Sequence, residues 1–216
     1  MNTTTISCPF PKLESFNLSC YTAYKNFYMS AESQTRQWFA DNIKENWNII
    51  DAGANVGMYT IPFALLANRG KVYAFEPTTT VDILKTNILN HPQKLENITI
   101  INKPLGENDV TIKDKIHKIW SIETEDKMFE FVKLDTFIKD NNLHIDLIKI
   151  DVDSYDYEVL LGTKEFLINN NPYVIVELNS ALGLRNHTPK EGIDFMIGLG
   201  YKNIACLDGE NYIFKK

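Results

Sequence analysis

Cysteine is scarce: the 216 residues contain only Cys8, Cys20 and Cys206. Their odd number and wide spacing exclude a disulfide framework and lack the paired spacings of a zinc site, so a reducing cytoplasm is the expected setting. No apolar run reaches the ~18 residues of a membrane-spanning helix, and no basic start followed by an apolar stretch opens the chain, so neither insertion nor secretion has a signal. The Asn-x-Ser/Thr triplets at Asn2, Asn17, Asn97 and Asn186 are therefore read as accidental. Positive charge is also in deficit. Lys plus Arg number 22 against 28 Asp plus Glu, a formal charge of −6 with no Lys/Arg-dense run. Binding to a nucleic-acid backbone is disfavoured. Internal repeats and low-complexity segments are absent.

What is present is an ordinary globular composition, 44% hydrophobic and 23% charged, in a length that suits one domain. We expect a single domain over residues 1–216, with 1–45 as an N-terminal arm and helix and 48–216 as the core. Residues 1–28 show no clear period and read as an irregular arm packing over the site. From Ser30 to about Glu45, Trp38, Phe39 and Ile43 recur at helical spacing.

Beyond Glu45, short apolar runs alternate with helical segments. Strands are predicted at Asn48–Asp51, Lys71–Glu76, Ile98–Asn102, Asp146–Asp151 and Tyr173–Leu178, and helices at Gly57–Asn68, Val81–Asn90, Tyr155–Leu167 and Lys190–Leu199. Helices of this length serve as crossovers between parallel strands, which predicts a doubly wound α/β sheet. Residues 109–143 read as an insertion with a short strand near Phe129–Lys133 and a helix near Thr136–Asn141. Tyr201–Leu207 and Tyr212–Lys215 flank the turn signal Asp208-Gly209-Glu210-Asn211 and predict a hairpin. A mostly parallel seven-stranded sheet ending in an antiparallel hairpin, within a Rossmann-like three-layer sandwich, is the layout of class I methyltransferases.

The densest local signal is Asp51-Ala52-Gly53-Ala54-Asn55-Val56-Gly57, between an apolar strand and an apolar helix. Gly53 and Gly57 allow a tight turn and close backbone approach to a ligand. Asp51 offers a carboxylate to the ammonium of a methionine-like moiety. The dinucleotide pattern Gly-x-Gly-x-x-Gly does not fit, since Asn55 and Met58 stand where glycines are needed. Glu76, which lies 25 residues after Asp51 and ends the second strand, is placed to accept hydrogen bonds from ribose hydroxyls. Glu107 or Asn108, after the third strand, is a candidate for the adenine edge, and Asp151 ends the fourth. Acids at successive strand ends converge on one crevice in an open α/β sheet, and their charge suits a cationic sulfonium better than a pyrophosphate.

The run Asp151-Val152-Asp153-Ser154-Tyr155-Asp156 brings three carboxylates to a strand-to-helix turn. Asp153 is the favoured general base, with Asp151 beside it, although Asp153 or Ser154 could equally cap the next helix and Asp156 could serve as a first-turn acid. A calcium loop of EF-hand type does not fit, because Asp156 stands in place of its glycine and Gly162 in place of its final Glu. His187 is a second candidate base or metal ligand, or an exposed loop histidine. Glu177 is a candidate for orienting a substrate hydroxyl or a metal. These residues also allow a divalent metal ion.

Taken together, Ile50–Gly57, Phe75-Glu76-Pro77, Lys133-Leu134-Asp135-Thr136-Phe137, the run Lys149–Gly162 and Pro172–Glu177 resemble the FkbM-type methyltransferase family in order and spacing. The resemblance implies S-adenosylmethionine (SAM) as cofactor, held by Asp51, Gly53, Asn55, Gly57 and Glu76, with the Asp151–Asp156 turn bordering the acceptor. The family's Asp-Val-Glu-Gly-x-Glu is here Asp-Val-Asp-Ser-Tyr-Asp. Two shortened acids and a Ser for Gly alter the acceptor side. Many members of the family methylate hydroxyls of sugars, polysaccharides or secondary metabolites, so the resemblance implies an O-methyltransferase with a small-molecule or glycan acceptor. The rival readings are an NAD-dependent oxidoreductase, which lacks a Tyr-x-x-x-Lys relay, and a SAM-binding accessory subunit.

Overall fold

The computed structural model describes residues 1–119 and 123–216; residues 120–122, within the predicted insertion, lie outside that range. The chain runs β1 (Thr3–Cys8), β2 (Phe16–Tyr21), α1 (Lys25–Ser30), α2 (Ser33–Asn42), β3 (Ile49–Ala52), α3 (Thr60–Leu66), β4 (Val72–Phe75), α4 (Val81–Leu89), β5 (Ile98–Ile101) and β6 (Leu105–Gly106). It continues through β7 (Val110–Ile119), β8 (Glu123–Lys133), α5 (Leu134–Asp140), β9 (Leu147–Ile150), α6 (Asp156–Leu161), α7 (Lys164–Asn169), β10 (Tyr173–Glu177), α8 (Pro189–Gly198), β11 (Lys202–Leu207) and β12 (Asn211–Lys215).

Seven strands form the main sheet in the order β11-β12-β10-β9-β3-β4-β5. β3 pairs in parallel with β4 and β9, and β12 runs antiparallel to β10 with β11 beside it at the sheet's edge. The chain winds outward from β3 to β5, then returns to β9 on the other side, so the topological switch lies between β3 and β9. Central strands covered on both faces are predominantly apolar, and every residue of β3 and β9 is buried, Asp51 and Lys149 included. One core cluster lies under the N-terminal arm and α3, around Phe39, Phe63 and Ile49; the other lies under α5 to α8, around Leu134, Leu160 and Met196.

Three expectations about local structure are corrected. Residues 1–28 are not irregular: β1 and β2 pair antiparallel from Thr3↔Tyr21 to Cys8↔Phe16. The side chain of Asn87 on α4 completes this hairpin's edge, accepting from Ser19 N at 2.8 Å and donating to Ser19 O at 2.8 Å. The insertion holds a long antiparallel hairpin, β7 with β8, rather than one short strand. Tyr155–Leu167 is two helices. The break falls at Gly162, where an added Cβ would stand 2.1 Å from the Gly106 carbonyl oxygen, so β6 touches the helix backbone there. Asp135 then caps α7, accepting from Glu165 N at 3.0 Å and Phe166 N at 2.8 Å.

The start of α8 and the C-terminal hairpin are fixed by local contacts. Thr188 and Glu191 form a capping box at the start of α8, with Pro189 in its first turn. Asp208 and Gly209 both take left-handed φ, 51° and 87°, at the centre of a turn that Glu210 N closes on Leu207 O at 3.2 Å. The Asp208 carboxylate also reaches the first turn of α2, accepting from Thr35 N at 2.9 Å and Gln34 N at 3.3 Å.

Candidate active site

A cavity of about 460 Å³ opens at the carboxyl ends of the central strands. Gly53, Ala54, Asn55, Met58 and Tyr59 of the β3–α3 turn form one wall, and Glu76 and Pro77 after β4 continue it. Lys149, Asp151, Val152 and Asp153 come from the end of β9, and Glu177, Asn179 and Ser180 from the end of β10. The remaining lining comes from Ile116 and His117 of β7, Glu210 of the C-terminal hairpin, and Tyr24, Phe27, Tyr28 and Glu32 of the N-terminal arm. The arm therefore does pack over the site.

Backbone geometry accounts for the turn. Gly53 has φ 86°, and a Cβ there would lie 1.7 Å from the Asp151 carbonyl oxygen, so only glycine lets the β3 and β9 ends meet. Gly57 has φ 99° and serves the entry to α3 from outside the cavity lining. Asn55 is left-handed (φ 48°), and its side chain is fully engaged: Oδ1 accepts from Tyr28 Oη at 2.9 Å and Val56 N at 2.8 Å, while Nδ2 donates to Lys118 O at 3.2 Å. Asn55 thus ties arm, turn and β7 together. Its backbone N–H donates to Glu76 Oε2 at 3.0 Å, and Glu76 Oε1 accepts from Thr78 N at 3.0 Å and Thr78 Oγ1 at 2.5 Å. The Glu76 carboxylate is thereby held at the wall at the end of β4.

Asp51 stands differently from the expectation. It is fully buried behind the wall, where Oδ2 accepts from Thr60 Oγ1 at 2.6 Å and Oδ1 lies 3.8 Å from Lys149 Nζ. It is not among the cavity-lining residues. Glu107 is exposed and also outside the cavity, because β6 pairs with β8 (Leu105↔Val132) and carries the following turn to the surface. His187 lies outside as well. Its ring packs on Tyr157 with centroids 4.6 Å apart, and its nitrogens face Glu158 and Glu191 at 3.8 and 3.7 Å. Asp151 and Asp153 do line the cavity, and Asp153 takes a left-handed φ of 63° that turns the chain into α6. No side chain caps α6; Asp156 instead closes the turn by accepting from Val152 N at 2.9 Å.

Residues missed from sequence supply much of the wall. Lys149 is only 2% exposed, and its ammonium lies 2.9 Å from Asp151 Oδ2 and 4.9 Å from the Tyr59 ring centroid. A lysine inside the apolar run Leu147–Ile150 was the signal for it, since a buried charge needs partners. Glu32, held at φ 55°, accepts from Tyr59 Oη at 2.9 Å and Asn211 Nδ2 at 3.2 Å. Among the described residues, the lining carries six carboxylates, Glu32, Glu76, Asp151, Asp153, Glu177 and Glu210, against one lysine.

Crowding and burial shift these acids. Burial, then the Asp151 and Glu76 carboxylates, push Asp153 up to about 7. Burial pushes Glu76 up to about 7 against the lowering effect of its bonds from Thr78 and Asn55. Glu177 rises to about 11 through burial and the Asp151, Asp156, Glu210 and Glu32 carboxylates. Because the folded state binds protons that free Asp and Glu would release, this part of the stability is full below about pH 4 and is lost as pH rises through about 7. We expect the ligand-free protein to melt on the order of 5 °C lower at about pH 8 than at about pH 5. A thermal melt series in constant salt checks this, and a Tm that rises over that range would refute it.

Strand order, switch point and an acidic crevice at the strand ends are those of the class I methyltransferase fold. The sequence matches the methyltransferase FkbM domain over residues 51–202, and the chain belongs to that family. The methyltransferase FkbM of Methylobacillus flagellatus superposes with a TM-score of 0.56 at 13% identity, covering 88% of this chain and 52% of that one. The chain thus spans about half of that protein's length. Aeropyrum pernix fibrillarin with natively bound SAM gives 0.53 at 13% identity, covering 80% and 67% of the two chains. P. horikoshii TYW2 in complex with MeSAdo gives 0.53 at 16% identity, covering 99% and 69%. No protein of curated function matches the sequence. Among the described residues no group of three or more His, Cys, Asp or Glu is arranged to hold a metal ion, and no helix is long and apolar enough to cross a membrane.

Proposed function

We propose that the protein transfers a methyl group to a hydroxyl of a sugar, glycan, sugar nucleotide or related polyhydroxylated metabolite, with Asp153 as general base. The observation that carries this is the placement of Asp153 on the cavity wall beside Asp151, with an affinity for protons near neutrality. A base poised there takes a hydroxyl proton with the least conflict between being ionised and being basic.

The donor set fits SAM. The acid-rich lining with one lysine favours a ligand bearing a sulfonium and an ammonium, whose charge would draw Glu76 and Asp153 toward their ionised forms, and disfavours a pyrophosphate. Glu76 at the end of β4 would hold the ribose, and the backbone of Gly53 and Ala54 would face the rest of the nucleoside. SAM, when bound, supplies an electrophilic methyl carbon on a positively charged sulfur. Asp153 accepts the proton of the acceptor hydroxyl. Tyr24, Phe27 and Tyr28 of the arm supply aromatic faces on which a ring-shaped acceptor stacks, while Asn179 and Ser180 supply neutral polar groups for its hydroxyls.

The test is calorimetric titration with S-adenosylhomocysteine and, separately, NAD, followed by incubation with SAM and a panel of glycans and sugar nucleotides read by mass spectrometry. Micromolar binding of the homocysteine ligand, no NAD binding and one added methyl on a hydroxyl are the expected results. Binding of NAD alone would overturn the reading, and methylation confined to nitrogen or carbon acceptors would overturn its O-methyl part.

A further inference from the structure

Lys149 sits where β3 and β9 run side by side, directly opposite Asp51 in the parallel register. Its ammonium is clamped between two carboxylates, Asp151 Oδ2 at 2.9 Å on the cavity wall and Asp51 Oδ1 at 3.8 Å behind it. The Tyr59 ring covers it at 4.9 Å, and the Tyr59 hydroxyl is in turn fixed on Glu32. Asp51 Oδ1 has no hydrogen-bond partner, so Lys149 is the only charge that compensates that oxygen among the described residues. Lys149 borders the cavity itself, yet its ammonium is occupied by these two carboxylates. What it can do is set the charge and the direction of the one partner that does reach the cavity.

We infer that Lys149 is a positioning residue, which fixes the Asp151 carboxylate toward the cofactor, with Asp51 acting through it rather than on the ligand. The inference rests on the reading of the cavity as a SAM site. The other groups around Asp151 are all acidic: Asp153 and Asp156 in the β9–α6 turn, Glu177 on β10 and Glu32 from the arm. Burial acts to lower the Lys149 pKa, but Asp151, Asp51 and Glu32 outweigh it and hold the ammonium charged. With Lys149 gone, Asp151 would stand in an uncompensated field of carboxylates and take up a proton.

The experiment compares wild type, Lys149→Met, Lys149→Arg and the double variant Asp51→Asn/Lys149→Met, which removes the buried charges together and so protects the fold. S-adenosylhomocysteine affinity is measured between about pH 6 and about pH 9, with a thermal melt at each point. In both Met variants affinity should fall at least about tenfold at the acid end and recover toward the alkaline end, a shift of about one pKa unit or more. Lys149→Arg should restore the wild-type profile. A purely structural role would lower Tm while leaving the pH profile parallel to wild type, and that result would overturn the inference while sparing the cofactor reading. Failure of the wild-type chain to bind the ligand at any pH would overturn the cofactor reading and this inference with it.

Discussion

Glu76→Ala is expected to weaken S-adenosylhomocysteine binding by about ten- to a hundredfold, the effect of losing a charge-assisted contact to the ribose. Two losses combine. The carboxylate leaves the wall of the cavity, and the Asn55 N–H, Thr78 N–H and Thr78 hydroxyl lose their acceptor at the same time. The turn that carries Gly53 and Asn55 is thus loosened together with the ribose contact. Glu76→Gln keeps an acceptor for some of these donors and should lose less. Titration calorimetry on folded protein decides the matter: an unchanged affinity in Glu76→Ala would remove Glu76 from the binding site.

Asp153→Asn should leave S-adenosylhomocysteine affinity within a fewfold of wild type while lowering turnover by about 10²- to 10⁴-fold, the usual contribution of a general base. The substitution is conservative at this position for a backbone reason. The φ of 63° is one that asparagine tolerates nearly as well as aspartate. Wild-type turnover should climb with pH through about 7 as the Asp153 carboxyl ionises, and the limb should vanish in the variant. Retention of full turnover would end the case for Asp153. The next candidates would be the other wall carboxylates, because His187 packs on Tyr157 outside the cavity.

The sequence was most readable where one physical rule dominates. Buried parallel strands are predominantly apolar, so β3, β4, β9 and β10 stand out, and the Asp208-Gly209 turn marks the C-terminal hairpin directly. Tertiary contacts hid the rest. In β2 the buried Phe16, Leu18 and Cys20 alternate with Asn17 and Ser19, but a two-stranded pair with β2 against α4 and β1 against α1 gives a weak signal beside Pro9 and Pro11. The β7–β8 hairpin covers only a small cluster of Ile116, Phe129, Phe131 and Tyr155, so most of its residues are polar. The break at Gly162 reflects a contact with Gly106, 56 positions earlier in the sequence, which no helical period records.

At the site, the strand-end acids were legible as a group but not in their separate roles. Asp51, Asp151 and Asp153 all lie at the ends of apolar strands, and only the fold shows that Lys149 lies within ion-pair distance of the first two while the third stands on the wall. Glu107 read as a strand-end acid because β6 looks like the close of β5. Its neighbour Leu105 belongs instead to the insertion's sheet.

The carboxylate of Asp208 on α2, and that of Glu32 beneath Asn211, join segments separated by 173 and 179 positions. Contacts of that span close only after the intervening chain has condensed, since each requires a very large loop to be shut. The roof of the cavity is therefore among the last parts of the molecule to assemble, set in place over a finished sheet. A refolding chain should bury Trp47, which packs in the core cluster with Ile49, and acquire its strands before it gains the ability to hold a nucleoside, and recovery of binding should lag recovery of compactness.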